Sequence, residues 1–295
     1  MASVVQMVIY YLLTFVSVFM ETAKNIFSNM YSKDHVKQER DIYLFNIFMY
    51  GGSLAVMLVL QLWRPVPLSG GSVLLAALFA LAIGGMQTTF LRALRNGPLS
   101  YVNFIQTSGL VIPALWGVVF LGQSIKILQI VALPILLFSM ALVMDLKKEK
   151  SCGKWLGNAI GTMICCGAVG VIQSIHQSSA WSEEQNSFLA MSFFFVVLIN
   201  LVSFLVTKKP GEEKTVVSVK TASLPLLSGI LFGIVNALNL FLIGVMPNVI
   251  FFPIANGGLL IATMLAAVWI FHESLNKKQW LGILIGLIAM CMLGL

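Results

Sequence analysis

Ten continuous apolar runs, each of roughly 20 residues, the length that crosses a bilayer core, divide this chain at about 5–30, 42–63, 71–94, 99–121, 124–145, 155–178, 187–207, 222–246, 248–271 and 278–295. Hydrocarbon offers a backbone no hydrogen-bond partner, so a spanning segment closes its own bonds as a helix or joins a closed barrel. These runs lack the in–out alternation of barrel strands, which leaves helices. The expected fold is an all-α polytopic membrane protein with ten transmembrane helices. Composition agrees: 59% of the residues are hydrophobic and 10% charged, against about 25% charged in soluble domains.

The polar connections are too short for a soluble catalytic domain. The longest, "TKKPGEEKTVVSVKT" at 207–221, bends at Pro210–Gly211. The first run has no basic region before it and no small-residue cleavage site after a short core, so it reads as a retained span and not a signal peptide. Cys152, Cys165, Cys166 and Cys291 have no metal-ligand spacing and read as free thiols acting as small hydrophobes. There is no P-loop and no haem or metal ligand cluster, so no cofactor is expected.

Basic residues sort by connection. Those after odd-numbered runs hold Lys33, Lys37, Arg40, Arg92, Arg95, Lys147, Lys148, Lys150, Lys154, Lys208, Lys209, Lys214, Lys220, Lys277 and Lys278, and those after even-numbered runs only Arg64 and Lys126. The positive-inside rule then makes the odd connections cytoplasmic, puts both termini outside and places the protein in the cytoplasmic membrane. The net charge of +7 is accounted for by a basic face against anionic lipid. No aromatic-interleaved basic motif points to nucleic acid.

The chain also repeats itself. "FLGQSIKILQ" (120–129) and "IFHESLNKKQ" (270–279) align without gaps at an offset of 150, sharing Ser124/Ser274 and Gln129/Gln279, with Gln123 opposite Glu273. Both stretches fall between the fourth and fifth run of a half. A unit of five helices repeated in tandem enters the membrane inverted the second time, which gives a pseudo-twofold axis in the membrane plane and two near-equivalent arrangements suited to alternating access. The halves divide at 1–147 and 148–295.

Together with "FLRALRNGPLSYVNFIQTSGLVIPALWGVVFLGQSIK" (90–126) and "IFHESLNKKQWLGILIGLIAMCML" (270–293), this arrangement resembles the EamA-like family of the drug/metabolite transporter superfamily. The family's helix end, small-residue turn, Pro-containing helix and Leu-Gly-Glu correspond to Ala93–Leu94, Pro98–Ser100, Pro113 and Leu121–Gly122–Gln123. In the second half Glu273 and Gln279–Gly282 stand at the family's Glu and Gln-x-x-Gly. The sequence departs from the family in three ways. Gln123 replaces the usual Glu, Val16 and Ser17 stand roughly where a Trp-Gly pair is common, and the charge count opposes the termini-inside arrangement often drawn for relatives. The resemblance implies the ten-helix inverted-repeat fold and solute transport. Its motifs specify fold far better than substrate.

Ionisable groups inside apolar runs are functional candidates by default. Glu21 and Lys24 in "VSVFMETAKNIF" (16–27) lie i,i+3 on one helix face and can pair. The competing reading ends the helix there, with Lys24 snorkelling to the headgroups. Arg92 sits deeper than Arg95 and is a candidate to pair with Glu21 in a cavity or, alternatively, an interfacial anchor. In the second half Gln173 and His176 fall near the Glu21 and Lys24 positions. Glu21 and His176 are the coupling candidates, since a buried carboxyl and an imidazole can both exchange protons near neutral pH.

Among the neutral amides within the runs are Gln87, Asn103, Gln106, Asn200, Asn236, Asn239 and Asn256. Some are expected to bond neighbouring helices only. Gln106 and Asn256 are equivalent at the offset of 150, and Asn236 and Asn239 share a face, which points to the lining of a solute site. The substrate-binding set is therefore Glu21, Lys24, Gln87, Arg92, Gln106, Asn236, Asn239 and Asn256. Tyr10, Tyr11, Tyr101 and Trp116 are candidate aromatic walls or belt residues. The glycine pairs 84–85 and 257–258, with Pro113 and Pro253, mark close packing or local breaks.

The expected function is a secondary active transporter of a small polar metabolite, such as an amino acid or amine, complete as a monomer among membrane lipids, with proton coupling through Glu21 as a hypothesis. The alternatives are a flippase for a lipid-linked sugar and a non-transport membrane subunit. Enzymatic activity is not expected, because the histidines at 35, 176 and 272 lie apart.

Overall fold

The computed structural model describes residues 4–63, 65–97, 99–143, 153–207, 219–271 and 276–294. The expectations on Arg64, Pro98, Lys147, Lys148, Lys150, Cys152, Lys208, Lys209, Lys214, His272 and Glu273 lie outside them. Within them the chain is helical: α1 (Val4–Asp34), α2 (Glu39–Trp63), α3 (Gly70–Asn96), α4 (Leu99–Ser108), α5 (Val111–Val119), α6 (Ile127–Val143), α7 (Gly153–Gln177), a 3-10 turn (Ser182–Glu184), α8 (Gln185–Val206), α9 (Val219–Val245), α10 (Asn248–Phe271) and α11 (Lys277–Gly294). Eight stretches among the described residues are long and apolar enough to cross a membrane, with α4 and α5 together supplying one. This is a polytopic all-helical protein. The shorter α6 and α11 pack against each other.

The fourth run is continuous in sequence and broken in structure. α4 stops at Ser108 and α5 starts at Val111, with Gly109 N–H and Leu110 N–H donating to the Gln106 and Thr107 carbonyls at 3.0 Å. Pro113 follows in the first turn of α5, where its missing N–H costs least. A side chain at Gly109 would strike the Met163 carbonyl of α7, so the break coincides with a close backbone approach.

Few neighbours in sequence are neighbours in space. α1 packs on α9 and α10, α2 on α8 and α9, α3 on α7 and α8, and α4 and α5 on α7 and α10. Helices in a bilayer gain little from hydrophobic association with one another, so tight packing and interhelix hydrogen bonds hold them. At the α2–α9 crossing the backbones nearly touch: a methyl at Gly229 would run into the Met49 carbonyl, and Ser53 Oγ donates to the Gly229 carbonyl at 2.8 Å. Tyr50, Phe79, Phe188, Phe193 and Phe232 fill the core beside it, all but sealed from solvent. Asn46 Nδ2 donates to Asn200 Oδ1 at 2.9 Å, and Asn25 Nδ2 to Asn103 Oδ1 at 2.9 Å, so Asn103 and Asn200 join helices.

The aligned stretches of the two halves fold alike where both are described. Gln129 Oε1 accepts from Lys126 N–H at 3.0 Å at the start of α6, and Gln279 Oε1 accepts from Asn276 N–H at 2.8 Å at the start of α11. Each glutamine reaches back three residues to a helix N-terminus whose donors would otherwise be orphaned. Before α6, Gly122 takes a positive φ of 61° that turns the chain, and Gln123 Oε1 accepts from Asn248 N–H at 2.8 Å, tying that turn to the start of α10.

Replacing Gly229 by Ala is expected to destabilise the protein by about 1–3 kcal/mol, because the added methyl overpacks against backbone that cannot yield. Gly51→Ala, with nothing within 4 Å of the added carbon, is expected to change the apparent melting temperature little. Thermal unfolding of the two variants in detergent reads the difference.

Candidate functional site

A cavity of about 100 Å3 lies between α1, α3, α4, α5, α7, α9 and α10. A buried water needs roughly 10–15 Å3 measured the same way, so the space holds several waters or a small solute. Its polar wall is made by Ser17, Glu21, Gln106, Gln173, Asn236, Asn239 and Asn256, and its aromatic wall by Phe232, Phe251 and Phe252. Five of the eight residues of the expected substrate-binding set are thus brought together, Glu21, Gln106, Asn236, Asn239 and Asn256, and with them Gln173, the residue matched to Glu21 in the second half.

Each has a local reason for its pose. Asn236 and Asn256 donate to the carbonyls of Phe232 and Phe252, four residues earlier, both at 2.9 Å. The pattern Phe-x-x-x-Asn therefore occurs twice and sets a ring and an amide one turn apart on the same wall. Ser17 Oγ donates to Asn239 Oδ1 at 2.5 Å, joining α1 to α9, and Gln173 Nε2 approaches Asn236 Oδ1 at 3.4 Å, joining α7 to α9. Gln106 Nε2 faces the Met86 sulfur at 3.8 Å. Its Oε1 is buried without a partner among the described residues.

Glu21 carries the charge in this lining. Its Oε1 takes a hydrogen bond from Lys24 Nζ at 2.7 Å, and its Oε2 is buried without a partner among the described residues. The Glu21 side chain keeps 14% exposure and that of Lys24 none. The Lys24 ammonium lies 4.9 Å from the Phe232 ring centroid and 5.6 Å from that of Phe90, the geometry of cation–π attraction. Lys24 is fully buried within the bundle, so snorkelling to the surface is not its role. Lys24 stands behind the cavity wall, with Phe232 shared between the two.

The other candidates lie elsewhere. Arg92 does not pair with Glu21. Its Nε and a terminal nitrogen bond Glu39 Oε2 at 2.9 and 2.7 Å, with side chains 33% and 43% exposed. Six residues separate Arg92 from the lining residue Met86, a rotation that leaves it about 120° off the cavity face. Gln87 is also off that face, its Nε2 3.5 Å from Ser28 Oγ. His176 is fully buried and stacks on Phe188 with ring centroids 4.2 Å apart, outside the lining. Tyr10 packs edge-on to Phe241 and Trp116 stacks on Phe120; neither they nor Tyr11 line the cavity. The side chain of Tyr101 is outside what is described.

The sequence reading missed Ser17 and the three phenylalanines. Ser17 sits one helical turn before Glu21 and was visible as part of the same face. The phenylalanines are signalled by the Phe-x-x-x-Asn pattern.

No family model and no curated protein matches the chain. A solved structure described as "Crystal structure of protein" superposes with a TM-score of 0.74 at 12% identity, covering 96% of this chain and 97% of that one. That likeness shows a shared fold over nearly the whole chain.

Arg92→Gln is expected to change stability by no more than about 1 kcal/mol, the range of an exposed ion pair, and to leave binding at the cavity unchanged. Melting curves and ligand titrations on this variant check both statements.

Proposed function

We propose that the protein is a secondary active transporter that moves a small polar metabolite through the central cavity by alternating access. The observation that carries this reading is the composition of the cavity wall: residues far apart in sequence, Glu21 and Gln106 from the first half and Gln173, Asn236, Asn239 and Asn256 from the second, converge on one cavity. A lining of amides and one carboxylate beside aromatic rings suits a solute with a polar end and an apolar body.

The proposed architecture is ten spans in two inverted five-helix repeats, with α4 and α5 together as the fourth span and α6 and α11 as the fifth and tenth. The packing supports it. Exchanging α1–α6 for α7–α11 turns the α3–α7 contact into α9–α1, α2–α9 into α8–α3, and α1–α10 into α7 with α4 and α5, all of which occur. The α2–α8 and α6–α11 contacts map onto themselves. The matched glutamine caps at Gln129 and Gln279, and the shared lining by Gln106 and Asn256, support the same offset of 150. This arrangement is in keeping with the resemblance to the EamA-like family. The basic connections favour an orientation with the start of α1 outside the cytoplasm.

A thermal-shift screen of the purified chain against a metabolite library tests the reading. A solute at 100 times its dissociation constant is expected to add about 2.7 kcal/mol of apparent stability. Glu21→Gln, Gln106→Ala and Asn256→Ala should each remove or weaken that shift, measured from each variant's own melting temperature. Absence of any stabilising solute, or shifts untouched by all three variants, contradicts a solute site in this cavity.

A further inference from the structure

The charge balance of the cavity narrows what it takes. Among the described lining residues Glu21 supplies the one carboxylate, and no ammonium or guanidinium is present. Its counter-ion is Lys24, sealed from solvent 2.7 Å away. The two residues stand i,i+3 on α1, so a movement of one helix against another carries both and does not part them. The pair keeps the site electrically neutral in any arrangement of the bundle that leaves α1 intact.

Two buried atoms at the wall lack a partner among the described residues, Glu21 Oε2 and Gln106 Oε1. Both are acceptors. The orientation of the Gln106 amide follows from Met86, whose thioether sulfur only accepts, so the NH2 group faces it and the oxygen is the atom left without a partner among the described residues. Unpaired buried acceptors are costly, and a ligand that donates to both relieves that cost. A solute with a net positive charge would leave its own charge unbalanced, because Lys24 already neutralises Glu21. A solute with a net negative charge would meet Glu21 Oε2 with no free cation in the lining. Either way an uncompensated charge would enter a space walled largely by apolar side chains, which is penalised.

We infer that Lys24 is a built-in counter-ion for Glu21 and that the cavity takes a solute of zero net charge that donates hydrogen bonds to Glu21 Oε2 and Gln106 Oε1. This rests on the carrier reading and narrows it to zwitterionic or uncharged donors. Their apolar part lies against Phe251 and Phe252, which share the wall.

The test uses probes that differ in charge and hardly in shape. Alanine (zwitterion), lactamide (uncharged), alaninamide (cation) and lactate (anion) form one set; phenylalanine, phenyllactamide, phenylalaninamide and phenyllactate form the second. Melting temperatures of the full chain, titrated with each probe, should show the zwitterionic and uncharged members binding at least tenfold tighter than either charged member. Lys24→Met should move the preference towards the cation by at least tenfold, since Glu21 then lacks its counter-ion. Where that variant does not fold, Glu21→Gln combined with Lys24→Met, which removes both charges, should still disfavour both charged members.

Tighter binding of a charged probe by the wild type overturns the inference, as does an unchanged order in Lys24→Met. If no probe binds, the net charge of whichever library solute stabilises the wild type decides the question: zero supports the inference and a charged solute overturns it. Such a charged solute leaves the carrier reading standing. A library with no stabilising solute ends both.

Discussion

A polar group buried in a membrane-spanning bundle is costly unless it is paired inside the bundle, and much of the interhelix contact in this structure follows from how that demand is met. Asn46 with Asn200, Asn25 with Asn103 and Ser53 with the Gly229 carbonyl are pairs that also hold helices together. Lys24 makes the heaviest demand, an ammonium with no exposed surface, and it is met by the Glu21 carboxylate and two aromatic rings. At the cavity wall Glu21 Oε2 and Gln106 Oε1 have no partner among the described residues, as is also true of buried atoms elsewhere, among them the Asn29 amide and both ring nitrogens of His176.

The crossing of the halves puts that site in the middle. Because α1 packs on α9 and α10 while α7 packs on α3, α4 and α5, each half contributes its polar faces to the other's surface and neither encloses the cavity alone. The break at Gly109–Leu110 lies in the wall. Non-helical backbone at membrane depth is tolerated where it is buried in protein or lines a cavity, and this break meets both conditions. Ser17 with Asn239 and Gln173 with Asn236 bridge α9 to α1 and to α7 across the same space.

Much of this was legible in the sequence, for physical reasons. Apolar run length and the scarcity of charge point to a helical membrane protein, because hydrocarbon permits so little else. Amides inside apolar runs are expensive, so Gln106, Asn236, Asn239 and Asn256 stood out, and all four line the cavity. Charge alone misled at Arg92, whose partner Glu39 stands at the start of the neighbouring helix and cannot be read from α3 by itself. Lys24 was flagged correctly as costly, yet its place behind Phe232 depends on the α1–α9 contact, a packing of distant segments. Pro113 marked a break in the fourth run, which falls just before it at Gly109–Leu110, whereas Pro253 stands inside an unbroken α10; hydropathy registers neither, because it does not read backbone geometry.

The central claim is that Glu21 and Lys24 form a buried, mutually dependent pair, and a double-substitution cycle on stability tests it most directly. Unfolding of Glu21→Gln, Lys24→Met and the combined variant would be measured in detergent under identical conditions. Breaking a buried pair typically costs about 3–5 kcal/mol, while replacing both partners costs much less. The predicted result is a strong non-additive recovery in the double variant, with Glu21→Gln the more damaging single change because it strands the fully buried ammonium. Single effects below about 1 kcal/mol that simply add, as for a surface pair, would contradict it.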